Sequence, residues 1–246
     1  MAPNATWWSY EGTNTWIVGS ESTGSDCLVV DPGSAEAAHL SAIVQAADDH
    51  GWTIKWVSVT HDHEDHLDGA AELAAMTGAR LLTFEGTGVA DPVLDGDRIP
   101  LGDIEVEVIH TPGHSDDSIS FSIVGTDCLL TGDTLLNGRP SAVYGRLDDY
   151  MRTLDVLHSL SAGRDAIFLP GHGPVIDEPT SALADARARR QHRIDQVKEL
   201  NRRGITTVDE ILAALYPGID DEKRFDAEVY VRSIIRYVAA DAIRGN

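Results

Sequence analysis

Apolar positions along the first 80 residues switch between two spacings, and the switches mark the elements. Thr15 to Gly19 and Cys27 to Val30 are short apolar or β-branched runs, and the second stops at Asp31-Pro32-Gly33, a turn that cannot continue a strand. Two strands joined by a Ser/Gly-rich hairpin are expected. From Ala35 to His50, Leu40, Ile43, Val44 and Ala47 recur at helical spacing, and Gly51 stands where a helix end favours positive φ. That stretch predicts an amphipathic helix. Ile54 to Val59 returns to strand composition and runs into His61 to His66, so the histidines open the loop before a helix at Gly69 to Met76.

Farther along, Ile104, Val106 and Val108 alternate with Glu105 and Glu107, while Ile119, Phe121 and Ile123 alternate with serines. Period-two alternation buries one face of a strand and wets the other. Cys128 to Leu130 predicts another strand, ending at Thr131-Gly132-Asp133, and Ala166 to Leu169 one ending at Pro170-Gly171-His172. Tyr150, Met151, Leu154 and Leu157 mark a covering helix between them. Strands flanked by helices predict a layered α/β architecture.

Pro179 breaks this pattern. Ser181 to Arg203 is a long Ala/Arg/Leu-rich helix ending at Gly204, Thr207 caps a second helix through Tyr216, and a third follows from Ala227. We therefore divide the chain into an α/β domain at 1–180 and a small helical domain at 181–246.

Composition narrows the partners. The chain has 246 residues, 42% hydrophobic and 24% charged, enough for a large core, and no apolar run approaches the ~20 residues of a membrane span. The amino-terminal residues lack the basic start and apolar stretch of a secretory signal, so the cytoplasm is the expected address. A net charge of −21 disfavours binding that works by neutralising many phosphates, as on nucleic acid. Cys27 and Cys128 lie in apolar strand runs and are expected to be buried, inert thiols.

The chemistry concentrates at His61-Asp62-His63-Glu64-Asp65-His66, an H-x-H-x-D-H pattern. In a chain with 10 histidines among 246 residues, three at these offsets arise by chance about 2% of the time, so the spacing calls for a physical reason. Two histidines two apart on extended backbone project to the same side, and the following turn brings Asp65 and His66 to a second position. Imidazole and carboxylate together suit zinc, iron or manganese. One such cluster cannot complete two coordination spheres. Further donors stand after later strands: Pro112-Gly113-His114, Gly132-Asp133 and Pro170-Gly171-His172-Gly173, each in a Gly-containing loop.

The series of Asp31, H-x-H-x-D-H, Pro-Gly-His, Gly-Asp and Gly-His-Gly resembles the metallo-β-lactamase superfamily over residues 10 to 178. The resemblance implies an αββα sandwich with the site along one edge of its paired sheets. It implies two divalent metal ions, zinc by preference with iron or manganese as alternatives: one held by His61, His63 and His114, the other by Asp65, His66 and His172, with Asp133 bridging. Asp65 and Asp133 then share in catalysis and a metal-bound hydroxide is the nucleophile. Asp31 corresponds to the family's strand-end aspartate, which supports the metal loop. Tyr144 is a candidate for the substrate pocket, and Asp62 and Glu64 are expected to face solvent. Of the other histidines, His39, His50, His158 and His192 read as surface or helix residues, and His110 as a strand-end residue.

Glu11 to Gly19, Tyr150 to Leu160 and Gly171 to Ile176 resemble the lactamase-β-like branch, which includes endoribonucleases and thioesterases. The tail resembles that branch's winged-helix-like extension, without an evident β wing. Its basic run, Arg187 to Arg193, reads as a solvated helix face. The metal set is also similar to glyoxalase II. His63 stands where di-iron oxygen-reducing relatives carry Glu, and Cys128 lies five residues before the position of a β-lactamase Cys ligand, so both of those branches are disfavoured. The expectation is a hydrolase of a small-molecule ester or thioester, with a single-strand endoribonuclease as the alternative. A metal-stabilised binding protein is the non-enzymatic reading.

Overall fold

The computed structural model describes residues 1–7, 9–20, 25–86 and 88–244, save the side chains of 242 and 244. In chain order the elements are β1 (Trp16–Gly19), β2 (Asp26–Val30), α1 (Ala37–Asp49), β3 (Thr53–Ser58), α2 (Glu64–Leu67), α3 (Ala70–Thr77), β4 (Arg80–Phe84), β5 (Asp91–Val93), β6 (Arg98–Leu101), β7 (Ile104–His110), β8 (Ile119–Ile123) and β9 (Cys128–Gly132). They continue with α4 (Leu147–Ser161), β10 (Ile167–Pro170), α5 (Pro179–Arg202), α6 (Val208–Leu215) and α7 (Asp221–Arg244).

The strands form two five-stranded sheets, ordered β1-β2-β3-β4-β5 and β10-β9-β8-β7-β6. In the first sheet β1 runs antiparallel to β2 and the remaining pairs are parallel. In the second only β9 and β10 are parallel. The expected hairpin matches the β1–β2 pairing, with Trp16 opposite Val30, but residues 21–24 at its turn lie outside the described residues.

Alternation along the strands produces three apolar layers. Leu28, Val30 and Leu82 of the first sheet meet Val106, Val108, Phe121 and Leu130 of the second. The outer face of the first sheet, with Cys27, Val29 and Val57, packs on Leu40 and Ile43 of α1 and Leu73 of α3. The outer face of the second sheet, with Leu129 and Phe168, packs on Leu154 and Leu157 of α4, and that cluster continues through Ile194, Ile211 and Val231 of the last three helices. The order is helix, sheet, sheet, helix. Each fully buried Leu or Phe here contributes about 1.5–3 kcal/mol through area removed from water.

The structure departs from the sequence reading at four points. Strands β4, β5 and β6 lie where no element is expected: β5 is three residues long with Pro92 at its centre and Pro100 interrupts β6, while β4, Arg80-Leu81-Leu82-Thr83-Phe84, has strand composition that the sequence reading passes over. Helix α7 begins at Asp221 rather than near Ala227, with Asp221 and Glu222 placing negative charge at its positive end. Cys27 is fully buried, but Cys128, at the open start of β9, is half-buried. Arg190 does not belong to a solvated face: with Leu183, Ala186, Ile194 and Val197 it forms the inward stripe of α5. Thr207 does cap α6, in a capping box with Glu210.

Candidate functional site

Strands β7, β9 and β10 share one direction, since β7 and β9 are each antiparallel to β8 and β10 is parallel to β9. The segments leaving their C-terminal ends therefore open on one end of the sheet, and they carry His114, Asp133 and His172. The other sheet delivers His61 and His63 just beyond β3, and α2 adds Asp65 and His66. The amide of Ile119 donates to the Thr60 carbonyl at 2.8 Å and fastens the two sheets at this end. Two glycines permit the approach. A Cβ at Gly171 would crowd the Asp133 carboxylate and lie 2.7 Å from His66 Cε1, and one at Gly132 would lie 2.5 Å from Thr60 Oγ1 on a backbone with φ of 49°.

All seven expected ligands converge. His61 Nε2 lies 2.9 Å from His63 Nδ1, and His114 Nε2 lies 3.1 and 3.0 Å from those two atoms. On the other side His172 Nε2 lies 3.2 Å from Asp65 Oδ2 and 3.3 Å from His66 Nε2. Asp133 stands between the groups, with Oδ1 3.5 Å from His66 Nε2 and Oδ2 3.3 Å from His172 Nε2 and 3.9 Å from His114 Nε2. His61, His63 and His114 could hold one ion and Asp65, His66 and His172 another.

These residues fit divalent cations on chemical grounds. Three imidazole nitrogens facing one another cannot all be satisfied by the protons between them, whereas one cation at ~2.0–2.1 Å from each accepts all three lone pairs. Asp133 Oδ1 is buried and has no hydrogen-bond partner among the described residues.

The local field prepares the donors. Burial, then the neighbouring imidazoles of His66 and His114, hold His61 well below the usual histidine range, and burial brings His114 down to about 4, so both keep free lone pairs at neutral pH. Burial alone would raise the Asp133 carboxyl, but His66 and His172 outweigh it and hold it well below the usual carboxylate range. Burial likewise opposes a charge on His66 and His172, yet Asp31 and Asp133 carry His66 well above its ordinary value, and Asp133 and Asp65 carry His172 up to about 9.

Asp31 occupies the position expected of a supporting residue. It is fully buried at φ of 53°, a region that Asp tolerates better than most residues. Its carboxylate accepts the Thr60 amide at 2.7 Å and the Thr60 hydroxyl at 2.8 Å, and its Oδ2 lies 2.9 Å from His66 Nδ1. The carboxylate thereby faces the ring edge opposite the cluster and sets its orientation. Asp62 and Glu64 are exposed, as are His50, His158 and His192, while His39 in α1 places Nε2 2.7 Å from the Pro32 carbonyl oxygen. His110 ends β7, stacks on Phe84 and places Nε2 2.9 Å from the Asp116 carbonyl oxygen.

A cavity of about 1050 Å³ opens on His63, Asp65, His114 and Asp133 and is bounded on its far side by α5, α7 and the segment carrying Tyr216 and Ile219. Tyr144 stands in its wall, its ring edge-on to His63 and His114 at centroid distances of 5.3 and 5.6 Å, and its hydroxyl donates to Asp226 Oδ1 at 2.9 Å. Burial and the Asp226 carboxylate push that phenol far above its ordinary value. Asp226, Tyr216 and Tyr230 of this wall carry no motif, and sequence reasoning gives them no role at the site, while it reads Arg190 as part of a solvated face; the helical stripe of α5 is the one signal that singles out Arg190. A second cavity of about 470 Å³, near Trp16, Trp52 and Asp103, touches none of the seven residues.

Among the described residues no helix is long and apolar enough to cross a membrane. The chain is 28% identical over 258 residues to an atrochrysone carboxyl ACP thioesterase of Aspergillus terreus, a match covering 98% of this chain and 78% of the relative. It is 34% identical over 151 residues to a hydroxyacylglutathione hydrolase of Rhodospirillum rubrum, covering 58% and 57%. The fold matches the crystal structure of a beta-lactamase domain protein from Burkholderia ambifaria with a TM-score of 0.78 at 18% identity, covering 94% of this chain and 82% of that one. The profile of the metallo-beta-lactamase superfamily matches residues 9–90 and 78–172, more than half of the sequence, and the chain belongs to that superfamily as a metal-dependent hydrolase.

Proposed function

We propose that the chain is a dinuclear thioester hydrolase in which His61, His63 and His114 hold one zinc ion, Asp65, His66 and His172 hold a second, and Asp133 reaches both. The observation that carries this reading is the position of Asp133, whose two carboxylate oxygens face histidines of both groups. The names of the thioesterase and hydroxyacylglutathione hydrolase relatives support the choice of a thioester. Divalent ions held by these residues would supply Lewis acidity and would lower the pKa of bound water toward neutrality, making hydroxide available as the nucleophile.

The chain's own residues do the rest. Asp133 and Asp65 put two carboxylates beside the paired ions and offset part of their charge. His61 and His114 donate as neutral rings because burial keeps protons off them. The rings of Tyr144 and Tyr230 give the cavity an apolar wall that limits water around the acyl group. In this reading residues 1–180 carry the chemistry and 181–246 close the cavity.

Metal analysis with parallel assays tests it. Two zinc equivalents per chain and chelator-sensitive turnover of acyl thioesters are expected. Single-stranded RNA cleavage without thioester turnover would move the assignment to an endoribonuclease.

A further inference from the structure

The cavity is electrically unlike the rest of the molecule. The chain carries 19 Lys and Arg against 40 Asp and Glu, and over most of the surface a cation sits beside a carboxylate, as Arg80 does with Asp91, Arg164 with Asp127 and Lys198 with Asp241. Inside the cavity the pattern reverses. Arg139, Arg189, Arg190 and Arg193 line it, and among the described residues none of the four makes an ion pair with a carboxylate. Arg139 donates to the Trp7 carbonyl and lies over the Tyr10 ring; Arg193 donates to Gln196 and lies over the Tyr216 ring. Lys223 lines it too, 3.5 Å from Asp220. Beyond the metal cluster the lining carboxylates are Glu222 and Asp226, and Asp226 is engaged by Tyr144. Among the described residues five cations therefore share the cavity with four carboxylates, two of which, Asp65 and Asp133, belong to the metal cluster.

Arg190 carries the argument. It is 6% exposed, its guanidinium lies 5.0 Å from the Tyr150 ring centroid and 4.9 Å from that of Tyr230, and it donates to the Ser141 carbonyl. Its Nε and the Tyr230 hydroxyl have no hydrogen-bond partner among the described residues. Burying a guanidinium without a counter-ion is costly, and aromatic faces recover only part of that cost. Ser141 ties the spot to the cluster, since its hydroxyl donates to the Asp133 carbonyl.

We propose that the missing counter-ion belongs to the substrate: the cavity takes a thioester bearing a phosphate or carboxylate remote from the scissile bond, received by Arg190 together with Arg193, Arg139 and Arg189. A planar guanidinium donates two parallel hydrogen bonds to either oxyanion. Leu136, Val143, Ile219 and Phe225 line the same cavity and supply apolar surface for the carbon chain. This inference rests on the thioester reading and narrows its substrate class to anionic thioesters, with the phosphate on the thiol arm or the carboxylate on the acyl group.

Binding is measured first because it needs no turnover. Metal-loaded protein is titrated by calorimetry with S-methyl coenzyme A, S-methyl pantetheine and S-(4-carboxybutyl) pantetheine, none of which can be hydrolysed at sulfur. At least one anionic probe binds about tenfold or more tightly than the neutral one, weakens with added salt, and loses about tenfold in Arg193→Gln and Arg139→Gln. A preference for the coenzyme assigns phosphate, and one for the carboxybutyl probe assigns carboxylate. Equal binding of all three, or indifference to both substitutions, overturns the anion site. Arg193 is half-buried and Arg139 exposed, so these variants remain informative if Arg190→Gln fails to fold. The ratio of kcat/KM for anionic over neutral thioesters follows the same order and collapses in Arg193→Gln. Anion binding without thioester turnover keeps the site and removes the thioester reading; turnover without anion preference does the reverse.

Discussion

The metal cluster and the wall facing it across the cavity are built in opposite ways. The cluster draws its seven side chains from strand ends and one short helix, and four of them lie within six consecutive residues, His61 to His66. The wall comes from α5, α7 and the segment between α6 and α7, where Tyr216 and Ile219 stand, and its residues meet only after the tail folds against α4. One region is fixed by local spacing, the other by packing. Chemistry that must not vary therefore sits on the rigid sheet ends, while the surface that selects a substrate is assembled from the helices.

Breaking the cluster is expected to have the largest effect. In Asp133→Ala both metal groups lose their shared neighbour, and kcat/KM for any thioester falls by about 10³-fold or more, on the order of 4 kcal/mol of transition-state stabilisation. Turnover within tenfold of the native protein, in a folded variant whose metal content has been measured, would remove Asp133 from its bridging position.

Proton competition comes next. His172, raised to about 9 in the metal-free protein, must surrender its proton to bind a metal ion, and the proton is held at every pH below that value. Affinity for the ion therefore falls as pH falls, by about tenfold per pH unit for one displaced proton, or ~100-fold between pH 9 and 7. Competition titrations against a chromophoric chelator at several pH values check this; a flat profile would contradict the charge state argued for His172. Asp31→Asn tests orientation without touching a ligand. It keeps the shape but removes the charge 2.9 Å from His66 Nδ1, and metal affinity drops by about 10–100-fold.

The same contrast explains what sequence reading reaches. Strand periodicity, turn signals and the H-x-H-x-D-H spacing are local, so the layered fold and the donors at His61 to His66 are legible without coordinates, while the joining of His114, Asp133 and His172 to them is implied by the resemblance to the metallo-β-lactamase superfamily. Strands β5 and β6 are not legible, because Pro92 and Pro100 weaken the pattern and pairing partners decide them. Arg190 was illegible for a different reason. Within the run Arg187 to Arg193 it has the composition of a solvated face, and only the helix's inward stripe, realised when Ile194 and Val197 pack, takes it out of water.

The smallest effect sharpens the comparison most directly, because it perturbs the helical region away from the cavity wall. Thr207 caps α6: its hydroxyl accepts from the Glu210 amide while the Glu210 carboxylate accepts from the Thr207 amide. Neither side chain lines the cavity. Thr207→Ala removes the cap and costs about 1 kcal/mol, read as a lowered midpoint in chemical denaturation. If the helices act only by presenting cavity-lining side chains, kcat/KM and metal content stay at native values in the folded variant. A loss of turnover that outruns the loss of stability would mean that α6 communicates with the cluster, and the division between a rigid chemical centre and an independent substrate wall would have to be given up.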